Sequence, residues 1–224
     1  MAESKLVLGY WGIRGLGQPV RNLLEFLQIP YEDKQYTNRE DWVSKDKLTL
    51  KSDFPNLPYL LDGDKVITES EAVALHIIFK AKREDLLGAS LEERIHLAQI
   101  KGVLGDTKKE LFGIILNKSL SAEDLRKSFD EKVLPRLAKI STFLGQKDFL
   151  LGKLTVVDFG FAELLSLFLI QDGDWLARLL RQTSRICPIS LTVAMHQRIR
   201  SYYYSNSLMH CHRQGDWANS GSLS

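Results

Sequence analysis

The sequence predicts two domains of different class: an open α/β layer in the first third of the chain and an all-helical domain in the rest. Three observations carry that reading. Up to Lys82, short apolar runs alternate with one helix-periodic segment and a hairpin signal. After Leu87-Gly88 the segments have helical character, with no strand pattern between them. The two textures meet in a short stretch, 83–89, that belongs to neither. The expected organisation is therefore an α/β domain over 1–82, a linker over 83–89 and an all-α domain over 90–224.

Taken in order, Lys5 to Gly9 is a β-branched and leucine run that suits a buried strand. After Tyr10 to Gly15, the residues Val20, Leu23, Leu24 and Leu27 stand at i, i+3, i+4 and i+7, the period of a helix. Pro19 suits its first turn and Pro30 lies just beyond its end. Tyr31 to Tyr36 alternates as a second strand, and Arg39 to Leu50 is polar and weakly helical. Pro58–Leu61 and Lys65–Ile67 flank Asp62-Gly63-Asp64, a hairpin signal. Thr68 and Glu71 have capping-box spacing ahead of the apolar run Ala72 to Phe79, so a helix is predicted to start there. An α/β layer of this order, β-α-β-(α)-β-β-α, is thioredoxin-like.

Beyond the linker, Leu91–Leu116, Ala122–Leu144, Val156–Ile170 and Asp174–Arg181 read as helices. Thr155, with Asp158 three residues on, offers an N-cap for the third of these. The stretch from His210 is polar, and its last residues are expected to fray.

Composition narrows the function classes. A net charge of +2, with Lys and Arg spread along the chain, gives no electrostatic basis for a nucleic-acid or anionic-membrane partner. The most apolar region, Phe149 to Ile170, is interrupted by Lys153, Asp158 and Glu163, so it reads as buried helix and not as a membrane span. The opening MAESKLVLGYW is too briefly apolar for a signal-peptide core. Two cysteines, Cys187 and Cys211, make neither a disulfide framework nor a metal spacing. A cytoplasmic protein without metal is expected.

Three segments together resemble the cytosolic glutathione transferases, most closely the mu class. They are Gly9-Tyr10-Trp11-Gly12-Ile13-Arg14-Gly15-Leu16 with Pro19 and Arg21, then Asp53-Phe54-Pro55-Asn56-Leu57-Pro58-Tyr59, then Ile67-Thr68-Glu69-Ser70-Glu71-Ala72. The resemblance continues at Glu92-Glu93, Asp106 and Thr155 to Phe159, and is weak after Asp172. It implies a homodimer that binds reduced glutathione as substrate, needs no further cofactor, and conjugates it to hydrophobic electrophiles.

The chemistry so implied is thiol activation. A free thiol with a pKa near 8.5 is only a few per cent thiolate at neutral pH, and the thiolate is the nucleophile. A neutral hydroxyl that donates to sulfur favours the anion, and Tyr10 matches the family's catalytic tyrosine. Trp11, Leu16, Arg39, Trp42 and a lysine, Lys47 or Lys45, match the side of the site that faces glutathione. The mu pattern has one residue fewer between Trp42 and Asp53, which leaves the two lysines as alternatives. Asn56-Leu57-Pro58 matches a cis-proline turn whose Leu57 backbone pairs with the cysteinyl part. Ser70, in a helix first turn, suits the γ-glutamyl carboxylate, and Glu69 suits the ammonium. Asp106 matches an aspartate offered to the partner subunit's site, and Phe54 matches an aromatic key at the dimer contact.

Two positions depart from the mu pattern. Glu69 replaces a usual glutamine, and Leu116 stands where a second tyrosine assists the electrophile. With Leu16, Leu116 gives the electrophile site an apolar wall. The segment from Tyr202-Tyr203-Tyr204 through Trp217 either covers that pocket or packs on the core. The alternatives are a glutathione-dependent isomerase, such as a prostaglandin synthase, and a non-catalytic ligand carrier or structural protein of the same fold. Loss of catalysis should show first at Tyr10, the Asn-Leu-Pro turn or Ser70, and all three are present.

Overall fold

The computed structural model describes residues 5–117 and 119–170. Strand β1 (Leu6–Trp11) lies inside a four-stranded sheet of order β2-β1-β3-β4. Its neighbour β2 (Tyr31–Tyr36) runs parallel to it, reached through helix α1 (Gly17–Phe26). On its other side β3 (Tyr59–Asp62) is antiparallel, and β4 (Lys65–Thr68) folds back on β3 through the predicted hairpin. This is the thioredoxin-like order that the sequence predicts. β1 runs two residues past the apolar stretch, because Tyr10 and Trp11 stay in register with Gln35 and Tyr36.

Between β2 and β3 the polar segment forms a π-helical turn, Asp41–Asp46, which runs into a short helix α2 (Lys47–Thr49). A π turn takes up one residue more than an α turn, which is the local form a single-residue insertion adopts. The turn buries Trp42, which stacks on Tyr59 at 5.8 Å and tilts against Tyr36 at 5.4 Å.

Helix α3 (Ser70–Lys80) does not start in the predicted capping box. Thr68 is held in the ladder opposite Tyr59, and Glu69 becomes the N-cap at φ 70° with no side-chain cap bond. A single 3₁₀ turn, Glu84–Leu87, leads to α4 (Leu91–Ile115). There Ser90 accepts from the Glu93 N–H, and the Glu93 carboxylate reaches back to the Ala89 N–H. The predicted helix over 122–144 is two helices, α5 (Ala122–Lys132) and α6 (Leu134–Leu144). Pro135 explains the break, since it lacks an N–H and its ring obstructs the carbonyl four residues back.

Helix α7 (Val156–Ile170) begins as predicted at Thr155, whose N–H and hydroxyl both donate to Asp158 at 2.8 Å. Asp158 also accepts from the Leu150 N–H, and burial pushes its carboxyl up against these three donors. The expected helix at Asp174–Arg181 lies outside the described residues.

Two cores form. In α4, Leu97, Leu104 and Leu111 recur every seven residues and pack on Phe129, Ile140, Leu144 and Leu164. The sheet, α1 and α3 share a core of Leu6, Leu8, Val20, Leu24, Leu60 and Ile77, into which α7 inserts Phe159. That ring meets Phe26 edge-on at 5.5 Å, so the helical region is fastened to the back of the sheet domain.

Candidate active site

Tyr10 ends the buried run of β1, with 6% of its surface exposed. Two glycines make room for it. A Cβ on Gly15 would lie 2.6 Å from the Tyr10 hydroxyl, and one on Gly17 would lie 2.5 Å from its ring. Gly15 also has φ +42°, a left-handed conformation that costs glycine least. The Leu16 N–H, at the N-cap of α1, donates to Tyr10 Oη at 2.9 Å. Burial pushes the phenol up, while the Leu16 N–H and the Arg21 guanidinium draw it down. The outcome is a neutral hydroxyl at pH 7 whose oxygen accepts one bond and whose proton meets no acceptor among the described residues.

The loop between β1 and α1 is gripped from three elements. Arg21 of α1 donates to the Ile13 carbonyl at 2.9 Å, and its Nε meets both Asp33 oxygens at 3.1 Å. Arg14 makes a two-pronged bond to Glu163 of α7, at 3.1 and 2.5 Å, and also donates to Ser166 Oγ. Glu163 is 1% exposed, so this pair is closed to water on its α7 side. Lys108 of α4 donates to the Gly15 carbonyl at 3.1 Å. Burial pushes the Lys108 ammonium down, Glu163 opposes this, and Arg14 adds to it.

At the same end of the sheet, ahead of the inner strand β3, the Leu57–Pro58 peptide is cis, as the resemblance implies. Leu57 makes no backbone hydrogen bond among the described residues, although its side chain is buried. Asn56 Nδ2 donates to Glu69 Oε1 at 2.9 Å, which ties this turn to the start of α3 and to Ser70. Glu69 holds a positive φ without being glycine, the kind of backbone outlier that gathers at functional sites.

Trp11 packs edge-on against Tyr36, and Tyr36 against Trp42, so the two tryptophans flank one aromatic cluster. Beneath it the Tyr36 hydroxyl donates to Asp46 at 2.5 Å, which Lys34 also pairs at 2.6 Å.

The two candidate lysines differ. Lys45 is paired to Asp41 at 2.6 Å, whereas Lys47 is exposed and makes no ion pair among the described residues. Arg39 is exposed beside them, ahead of the π turn. Leu16, 47% exposed, adjoins Tyr10. Leu116, 63% exposed, caps the far end of α4, eight residues and so about 12 Å along the axis from Lys108. Asp106 is exposed on α4, and Phe54, 76% exposed, projects from the loop before Asn56. Cys187, Cys211, Tyr202 to Tyr204 and Trp217 lie outside the described residues.

Arg14, Glu163 and Lys108 hold the loop beside Tyr10, a role for which the sequence alone did not single them out. Lys108 carried a signal: it follows Leu104 by four and precedes Leu111 by three, which places a cation on the inward stripe of α4.

Comparison with known proteins identifies the family and the fold. The family described as "Glutathione S-transferase, N-terminal domain" matches residues 6–78. Human "Glutathione S-transferase Mu 3" is 41% identical over 165 residues, covering 70% of this chain and 71% of that protein. Rat "Glutathione S-transferase Mu 5" is 38% identical with the same coverage. Among solved structures, the glutathione S-transferase Blo t 8 superposes with a TM-score of 0.73, at 24% identity over 89% of this chain and 92% of its own. Rat hPGDS complexed with a quinoline gives 0.69, at 23% identity over 92% of this chain and 98% of its own. At these identities the structural matches show the fold.

Proposed function

The chain belongs to the glutathione S-transferase family, and on that premise we propose that it conjugates reduced glutathione to hydrophobic electrophiles through a thiolate held by Tyr10. The observation that carries this reading is Tyr10 itself. It is a neutral phenol in a slot cleared by two glycines, with its oxygen engaged by Leu16 and its proton available for sulfur. Donation to the sulfur stabilises the anion over the thiol, and each unit of thiol pKa lowered corresponds to about 1.4 kcal/mol. The thiolate lone pair then forms the new S–C bond, and the leaving group departs with its bonding electrons.

In this reading the tripeptide lies across the end of the sheet where β1 and β4 finish and β3 begins. Its γ-glutamyl carboxylate meets Ser70 at the start of α3, and its ammonium meets Glu69 and Asp106 of a second protomer. The Leu57 backbone pairs with the cysteinyl unit beside Asn56 and Pro58. Arg39 and Lys47 answer the glycyl carboxylate, with Trp11 and Trp42 as walls. Lys47 is preferred because Lys45 is already spent on Asp41. Leu16 and Leu116 contribute apolar surface to the electrophile. With no hydroxyl at Leu116, aromatic substitution should be favoured over epoxide opening. Phe54, 76% exposed on its loop, is the side chain this reading offers to a homodimer contact. The domain division 1–82, 83–89 and 90–224 and a cytoplasmic location belong to the same proposal.

The test is conjugation of glutathione to chlorodinitrobenzene by the unmodified protein and by Tyr10→Phe over a range of pH. The variant is expected to lose about tenfold to a hundredfold in rate near neutrality, and to recover as rising pH ionises the thiol unaided. A variant that keeps its full rate near neutral pH would remove Tyr10 from the mechanism.

A further inference from the structure

The Gly15–Leu16 peptide is gripped at both ends. Its carbonyl oxygen accepts from Lys108 Nζ at 3.1 Å, and its N–H donates to Tyr10 Oη at 2.9 Å. Oxygen and nitrogen of one peptide share a resonance-coupled π system, so a cation on the oxygen makes the N–H a stronger donor. We propose that Lys108 is a positioning residue for thiol activation: through this one peptide it strengthens the hydrogen bond to Tyr10 and so makes the tyrosine a better donor to sulfur. The inference rests on the Tyr10 reading given above and adds a remote control to it.

The charges around Tyr10 single out Lys108. Arg21 of α1 lies over the tyrosine ring at 5.9 Å and is neutralised by Asp33 of β2. Arg14 of the loop is neutralised by Glu163 of α7, whose two oxygens both face Arg14. Lys108 of α4 has no carboxylate partner among the described residues and bonds to a neutral carbonyl instead. An ammonium drawn onto an inward helical stripe costs desolvation, and a purely structural role would be better filled by leucine or methionine. Its charge is therefore directed along the peptide dipole toward the phenol. Glu163 helps keep Lys108 protonated, which ties the relay to α7 as well.

The sign of the effect follows. Without the cation the Leu16 N–H donates less strongly, the phenol becomes less acidic, and the bound thiol is harder to ionise. The probe is the ultraviolet absorbance of the thiolate of bound glutathione, titrated with pH in Lys108→Met, Lys108→Arg, Tyr10→Phe and the double variant Tyr10→Phe/Lys108→Met. Lys108→Met is expected to raise the bound thiol pKa by about half a unit, and so to lower kcat/KM about threefold on the acid side, with no loss at high pH. Glutathione affinity should stay unchanged, and Lys108→Arg should restore the titration. In the Tyr10→Phe background, Lys108→Met should produce no further shift, because the relay ends at the hydroxyl.

A shift that persists in full without the hydroxyl would overturn the relay, showing that Lys108 acts on sulfur through space. An unshifted titration in Lys108→Met would overturn it as well. If Tyr10→Phe itself left the thiol pKa unmoved, the tyrosine reading would fail first, and the two failures are told apart by that single variant. Should Lys108→Met not fold, Lys108→Gln carries the same arms.

Discussion

Gly17→Ala tests whether the start of α1 is what fixes Tyr10 in place. The new methyl would stand 2.5 Å from Tyr10 Cδ1, 2.8 Å from Cγ and 3.1 Å from its Cβ. Ordinary carbon contacts are about 3.5–4.0 Å, so ring and helix must part by about 1 Å. The ring cannot swing aside, because Gly15 lies against the hydroxyl end and the sheet core lies beneath. Overpacking of this kind costs about 1–3 kcal/mol, and the gain from alanine in a helix offsets less than about 1 kcal/mol. A net loss of about 1–2 kcal/mol should lower Tm by about 2–8 °C in a chain of this size. A catalytic group displaced by about 1 Å can lose about a hundredfold in rate. Thermal unfolding and conjugation rate would be measured together, with Gly113→Ala as control. A Cβ there meets nothing within 4 Å, so that variant should unfold no earlier and keep its rate. Gly17→Ala with unaltered Tm and unaltered rate would refute the packing argument, since Tyr10 would then have slack on the α1 side.

Three further outcomes are expected. Glu163→Gln keeps the shape of the Arg14 contact but removes its charge, and urea unfolding should show a loss of about 2 kcal/mol, tempered by the partial exposure of Arg14. Glu69→Gly relieves a left-handed φ that costs a non-glycine residue about 1 kcal/mol but gives up an Asn56 bond of about the same size, so Tm should change little. The lost Asn56 bond and ammonium acceptor should weaken glutathione binding about tenfold by calorimetry. Hydrogen bonds from Lys34 and Tyr36 hold the Asp46 carboxylate below its usual range. The stabilisation it brings is therefore present above the unfolded carboxylate pKa and lost as pH falls through the lower, folded one. Asp46→Asn should cost about 1 kcal/mol at neutral pH, and the cost should shrink in strong acid, read from denaturant midpoints across pH.

Local periodicity made most of the architecture legible. The Val20–Leu27 spacing, the Asp62-Gly63-Asp64 hairpin and the Thr155–Asp158 start each describe contacts made within a few residues. What local pattern could not show depends on pairing across the chain. β1 reaches Trp11 because β2 continues beside it, and Thr68 fails as a cap because β3 claims it. The break before α6 was written at Pro135 but hidden by apolar residues on both sides that keep a helical period. At the candidate site, the residues proposed to face glutathione were suggested only by the family motifs, since Arg39 or Lys47 alone reads as a solvated charge. Arg14, Glu163 and Lys108 belong to three separate elements, and no spacing along the chain brings them to one loop.

Whether Tyr10 activates the thiol would be seen in a crystal structure of the protein with reduced glutathione bound. The cysteinyl sulfur is expected about 3.0–3.5 Å from Tyr10 Oη, with the Leu16 N–H still donating to that oxygen. A sulfur out of reach of the hydroxyl, or a Tyr10 turned away from it with glutathione in place, would contradict that role.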